Sequence, residues 1–242
     1  MKVYAYMERG AGKLFSEDTM LANGSVLKEG YYSFDKTGNC VAIADGVGGN
    51  AGGREASEYV LDRCRNELTK EDPRTTILSI NDGLLDYANS VLGMEQMATT
   101  LSAILFSDGA PVKLAHVGNT RISAIQGEYT KQLTKDHTTV ELLRMRGDYD
   151  AAERAPQNEI TACMGSGTPA RIAQLQIIEV EKEYSGYVLT SDGIHDYMDV
   201  EDIEDFISRG DWSKQAFEKL SQQAKDNGSD DDKSIIIVKV WE

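Results

Sequence analysis

The chain has 242 residues, enough for a substantial core in one large domain or two small ones. Its make-up, 40% hydrophobic and 27% charged, is that of a globular protein, and a net charge of −15 without a basic stripe argues against nucleic acid or an anionic membrane as a partner. Cys40, Cys64 and Cys163 are too few and too widely spaced for a disulfide framework or a zinc cluster.

Residues 1–10, MKVYAYMERG, have no apolar signal core, and no apolar run approaches membrane-spanning length, so a cytoplasmic protein is expected. Val3, Ala5 and Met7 alternate with Tyr4 and Tyr6 and predict an opening strand. A loop over 10–18 carries Lys13 and the adjacent acids Glu17 and Asp18. Short strands are expected over 19–22 and 31–34, around an Asn23-Gly24 turn. Residues 40–44 are apolar throughout, as in a buried strand, and end on Asp45. Five glycines follow among the next eight residues, before helical spacing sets in at Ala56, Val60, Cys64 and Leu68.

Helices are predicted over about 54–70 and 74–92, the second starting near Pro73 and ending at Gly93. Four strands over 101–106, 112–117, 121–126 and 129–133 are separated by Asp108-Gly109, Gly118-Asn119 and Gly127, which reads as a meander of hairpins. Residues 138–160 predict a short helix and then a polar, aperiodic, mobile surface segment. Strands over 173–180 and 187–190, helices over about 200–208 and 213–226, and a last strand over 234–241 complete the chain. Strands in consecutive runs with helices in pairs between them predict antiparallel sheet flanked by helices.

Asp45 is the focus of this pattern. A carboxylate at the tip of a buried strand needs a cation against it or costs solvation free energy. It can also simply begin a turn, as Asp and Gly often do. Residues 46–51 match a dinucleotide-binding GxGxxG/A turn, but an acid directly before the first glycine would repel a pyrophosphate. A second strand-acid-glycine junction stands at Thr190-Ser191-Asp192-Gly193, and Asp230-Asp231-Asp232 precedes the last strand. With Glu17-Asp18 this makes four acidic clusters beside strands or glycine turns, the oxygen-rich chemistry that a hard cation such as magnesium or manganese takes.

Several motifs occur in order along nearly the whole chain. They are Ser16-Glu17-Asp18, Asp45-Gly46-Val47-Gly48-Gly49, Ala98-Thr99-Thr100-Leu101, His116-Val117-Gly118-Asn119-Thr120-Arg121, Thr134-Lys135-Asp136-His137-Thr138, Ser191-Asp192-Gly193 and Asp231-Asp232-Lys233-Ser234. In them the chain resembles the metal-dependent Ser/Thr protein phosphatases of the type 2C (PPM) family, in its compact bacterial form. The resemblance implies an α+β fold, a four-layer αββα sandwich of two antiparallel sheets flanked by helix pairs. Residues 1–242 would form a single catalytic domain with a flap over about 140–162.

It also implies hydrolysis of phosphoserine and phosphothreonine by a water bridging two Mn2+ or Mg2+ ions. Asp45 would bridge the ions, Asp192 and Asp231 would hold one, and Glu17 and the Gly46 carbonyl would hold the other. Asp18 would orient water; Asp232 and His195 are further candidates beside the site. Phosphorylated proteins, Ser/Thr kinases and their substrates among them, would be the partners of a monomeric, cytoplasmic enzyme.

Three departures stand out. Lys13 occupies the place of a phosphate-binding arginine, so phosphate binding without a bidentate fork is expected. Val47 stands where many members have a histidine proposed as general acid. Asn119 replaces an aspartate that in some members holds a third metal, which puts that third site in doubt. His116 is expected to be buried and hydrogen-bonded, His137 to anchor the start of the flap, and His195 to be structural. A catalytically silent phosphoprotein-binding module on the same fold is the main alternative; a nucleotide-dependent oxidoreductase would need a parallel sheet.

Overall fold

The structure, a computed structural model, describes residues 1–47, 51–91, 97–165 and 172–240. In chain order the strands are β1 (Lys2–Glu8), β2 (Thr19–Ala22), β3 (Ser25–Leu27), β4 (Gly30–Phe34), β5 (Cys40–Ala44), β6 (Gly46–Val47), β7 (Ala98–Thr99), β8 (Leu101–Leu105), β9 (Val112–Val117), β10 (Arg121–Gln126), β11 (Tyr129–Gln132), β12 (Gln176–Val180), β13 (Gly186–Thr190) and β14 (Lys233–Lys239). The helices are α1 (Ala51–Glu67), α2 (Pro73–Ser90), α3 (Thr139–Met145), α4 (Tyr149–Arg154), α5 (Asp192–His195), α6 (Val200–Arg209) and α7 (Lys214–Asp226).

Two six-stranded antiparallel sheets form the middle of the molecule, with orders β11-β10-β13-β14-β1-β4 and β12-β9-β8-β5-β2-β3. The inner strands β5, β8, β13 and β14 are buried on both faces because both faces are covered. In β5, Val41 and Ile43 point between the sheets while Cys40, Ala42 and Ala44 lie under α1 and α2. In β14, Ile236 and Val238 point between the sheets and Ile235 and Ile237 meet Phe206 of α6 and Phe217 of α7. This period-2 division between two cores gives the expected four layers, helix pair, sheet, sheet, helix pair.

Local signals set the helix ends. Asp72 accepts from the Thr75 backbone N–H at 2.9 Å, with Pro73 in the first helical position of α2. Gly210, at φ 63°, closes α6.

Three expectations need correction. The Asn23-Gly24 turn, with φ of 48° and 69°, joins β2 to β3, whereas Gly30–Phe34 lies in the other sheet against β1. The glycine-free, three-residue β3 carries too little pattern to be read from sequence. The meander breaks at Gly118-Asn119, because β9 pairs with β8 and β12 while β10 pairs with β11 and β13. Gly118, at φ +112° and with room for no side chain against Thr100, carries the chain from one sheet to the other.

The third correction concerns the polar segment after α3. It folds as α4, capped by Asp148 through the Ala151 N–H at 3.1 Å. Its flanks are tied down by the bridge between Thr138 and Ile160. The expected glycine turn at Gly48 and Gly49, the helix end at Gly93 and the strand end at Trp241 lie outside the described residues. No helix among the described residues is long and apolar enough to cross a membrane.

Candidate metal centre

Register alone brings the acids to one end of the sandwich. Thr19 pairs with Ala44, so Asp18 and Asp45 leave β2 and β5 side by side. Thr190 pairs with Ile235, which puts Asp192 next to the start of β14, where Asp231 and Asp232 enter. The ends open on a cleft of about 370 Å³ lined by Lys13, Glu17, Asp45, Gly46, Asp192 and Asp231, with Asn158 and Ile160 of the flap segment on its wall. A second cavity, of about 330 Å³, lies beyond Asn119, beside the Arg121–Asp136 ion pair.

The electrostatics are those of crowded acids. Burial, followed by the charges of Asp18, Asp192 and Asp231, pushes the Asp45 carboxyl well above the usual range. Burial and the charge of Asp231 likewise raise Asp192, although the Asn119 amide donates to it. Burial, then repulsion from Asp232, brings Asp18 up to about 8 although the Ser234 hydroxyl donates to it at 2.6 Å. Glu17 is also raised, mainly by burial.

Among the described residues, Glu17 Oε1, Asp18 Oδ1 and Asn119 Oδ1 are buried without a hydrogen-bond partner. Orphaned oxygens among crowded acids whose charged forms are disfavoured are the donor chemistry of a hard-cation site. No three His, Cys, Asp or Glu side chains among the described residues stand ready as a closed ligand set, however. Their oxygens are turned instead toward other donors, chiefly Lys13. Its ammonium donates to Asp231 Oδ1 at 2.6 Å, Asp232 Oδ2 at 2.9 Å and Glu17 Oε2 at 3.3 Å. Burial opposes that charge, but the hydrogen bonds and attraction of Asp231 and Asp232 outweigh it and raise the lysine's pKa.

The backbone around the acids is pinned in several places that the sequence does not advertise. Thr100 Oγ1 accepts from the Asp45 N–H at 3.0 Å, and the Thr100 N–H and Thr99 hydroxyl both donate to the Asp45 carbonyl at 2.8 Å. Gly46 and Gly53 lie back to back: a Cβ on Gly46 would stand 2.4 Å from the Gly53 carbonyl group. Asp232, buried, accepts from the Gly10 N–H at 2.7 Å and the Glu17 N–H at 2.8 Å and so ties three segments together. A Cβ on Gly193 would meet the Asp232 carbonyl oxygen at 1.9 Å. Gly46, Thr99, Thr100, Gly193 and Asp232 fall in the motifs, but their pinning contacts do not show there; Gly53 is one of a run of glycines, and the role of Asp232 depends on partners more than 200 residues away.

Asn119 Nδ2 donates to Asp192 Oδ2 at 2.9 Å. His116 is fully buried, with Nδ1 on the Ser102 hydroxyl and Nε2 on the Lys135 carbonyl, each at 2.9 Å. Burial, then the neighbouring His137, lowers it to about 3. His137 stacks on His116 at 4.9 Å, accepts from the Gly118 N–H at 3.0 Å, and its carbonyl takes the Thr161 N–H at 2.8 Å, at the base of the flap segment. His195 is buried behind Asp192, with Nδ1 on the Thr190 hydroxyl at 2.8 Å, and burial drives its pKa well down. Val47 reaches the cleft but offers no proton.

A family profile for Protein phosphatase 2C matches residues 29–231. The chain belongs to the protein phosphatase 2C family. The serine/threonine protein phosphatase PstP of Mycobacterium tuberculosis is 25% identical over 248 residues, which cover 99% of this chain and 45% of PstP. The chain thus spans less than half the length of that relative. The serine/threonine phosphatase stp of Listeria monocytogenes is 24% identical, over 82% of this chain and 83% of stp. A crystal structure of PstP superposes with a TM-score of 0.81 at 24% identity, covering both chains completely. A second, of the PstP catalytic domain in complex with two manganese ions, gives a TM-score of 0.76 at 24% identity over the full length of both chains. The αββα arrangement is therefore that of this phosphatase family.

Proposed function

We propose that the chain hydrolyses phosphoserine and phosphothreonine in proteins, using two manganese or magnesium ions. One observation carries the proposal: acids from both ends of the sequence meet in a single cleft with the Lys13 ammonium among them and three buried carboxylate or amide oxygens unpartnered beside it. Membership of the family and the two manganese ions of the PstP structure support it. Glu17 and the Gly46 carbonyl would hold one ion, Asp192 and Asp231 the other, and Asp45 both. When bound, such ions supply a nucleophilic water at neutral pH and offset charge on the phosphoryl oxygens.

The chain's own groups divide the remaining work. Lys13 binds the phosphoryl group as a point charge. Asp18, held by the Ser234 hydroxyl, orients water and can accept a proton from it. The new P–O bond forms to water as the bond to the Ser or Thr oxygen breaks, and that oxygen leaves with a proton. The Asn119 amide already donates to Asp192 Oδ2, so a third ion is not part of the proposal. Residues 1–242 would act as one monomeric, cytoplasmic domain with residues 140–162 as its flap, on Ser/Thr kinases and their substrates.

The test is phosphate release from a phosphothreonine peptide. Activity that needs manganese and is abolished by a chelator supports the reading. Hydrolysis unaffected by chelator contradicts it, and manganese binding without hydrolysis would point to a phosphoprotein-binding module.

A further inference from the structure

We propose that Lys13 is an internal counter-cation which a divalent ion must displace, and that only the displaced lysine can take a phosphoryl group. The inference rests on the metal-site reading above and concerns the order in which that site is filled.

A lysine ammonium has three N–H donors and no more. In this structure three carboxylates take all three: Asp231 at 2.6 Å, Asp232 at 2.9 Å and Glu17 at 3.3 Å. No donor remains for a phosphoryl oxygen while these contacts persist. The three partners are not equivalent. Asp232 is also satisfied by the Gly10 and Glu17 N–H groups, whereas Glu17 Oε1 has no partner among the described residues. Asp231 and Glu17 are also the two that would turn to the ions, one on each side of the cleft. A divalent ion on either carboxylate repels the ammonium even where it takes the other carboxylate oxygen, so metal binding weakens two of the three contacts and frees their donors.

Lys13 would stay tethered to Asp232 beside the ions, facing the cleft. The substitution of lysine for arginine matters here. A guanidinium has five donors in a rigid fork and could hold carboxylates and phosphate together. Lysine has to choose. A ligand that competes with Lys13 for the carboxylates and another that competes with the carboxylates for Lys13 must favour each other, by linkage. The site would thus accept phosphoprotein only once loaded with metal.

The experiment is calorimetric titration of manganese into wild type and Lys13→Gln, together with thermal unfolding of both in chelator and at saturating manganese. With the competing ammonium gone, Lys13→Gln is expected to bind manganese about fivefold or more tightly than wild type. Its Tm should be lower than wild type in chelator, where the acids lose their counter-cation, and the gap should close with manganese. Manganese-loaded Lys13→Gln should bind inorganic phosphate more weakly. Equal manganese affinity in the two proteins, or a Tm gap of the same size with and without the ion, overturns the proposal while leaving the metal site standing. Failure of wild type to bind manganese at all, or Asp45→Asn binding as well as wild type, overturns both.

Discussion

A Cβ atom on Gly53 would stand 2.7 Å from Glu17 Oε1, the buried oxygen that has no partner among the described residues. The first turn of α1 is thus pressed against the Glu17 carboxylate, and Gly46 closes the same gap from the other side, its carbonyl carbon 3.0 Å from that Cβ position. Gly53→Ala should push the carboxylate and the Gly46 strand apart while the helix keeps a better helix former. The expected result is a loss of about 10- to 100-fold in manganese affinity with little change in thermal stability in chelator. Manganese calorimetry on the variant checks it; unchanged affinity would show that Glu17 and Gly46 are not used.

Asp232 acts as a strut. It gathers the Gly10 N–H, the Glu17 N–H and Lys13 on one buried carboxylate. Asp232→Ala leaves two buried N–H groups unpaired and should cost about 3 kcal/mol or more of stability. The neighbouring Asp230, whose side chain is exposed, serves as the comparison, and Asp230→Ala should change stability by about 0.5 kcal/mol at most. Urea unfolding in chelator distinguishes them. Equal midpoints for the two variants would remove Asp232 from this role.

The pH dependence of stability isolates His116. Its folded pKa of about 3 lies below the ordinary histidine value, so between about 6.5 and 3 the unfolded chain binds a proton that the folded one refuses. The stability contribution is intact above the unfolded pKa and is lost as pH falls, with a slope of about 1.4 kcal/mol per pH unit. The raised carboxyls Asp18, Asp45 and Asp192 run the opposite way, since the folded state there holds protons that the unfolded state has released. The diagnostic quantity is therefore the difference between wild type and His116→Asn. Urea midpoints from pH 7.5 to 5 should show the wild-type advantage shrinking as pH falls. A difference that stays constant would mean that His116 does not stay neutral in the fold.

Much of the fold and the list of acids could be read from the chain. Two-faced apolar strands such as Cys40–Ala44 and Lys233–Lys239, the helical spacing in Lys214–Asp226, and acids at strand ends are local patterns, and the structure brings Glu17, Asp45, Gly46, Asp192 and Asp231 to one cleft. What stayed hidden depends on non-local pairing. Gly118 looks like any hairpin glycine until β9 and β10 are seen in different sheets. The short β3 has meaning only beside β2, and α4 lacks an apolar repeat because only Ala152 in it is buried. Asp232 reads as one acid among three in a row; its partners, Gly10 and Glu17, are at the other end of the sequence. Lys13 could be expected to meet phosphate, but not to have all its donors occupied by three carboxylates.

Everything proposed for the cleft depends on Asp45 holding both ions. This role is tested most directly by the manganese-dependent kcat of Asp45→Asn on a phosphothreonine peptide, with the folded state verified by its unfolding transition. Asp45→Asn is expected to fold and to lose about 100-fold or more in kcat, since one change weakens both ion sites. A folded Asp45→Asn with wild-type kcat in the same manganese concentration would contradict it.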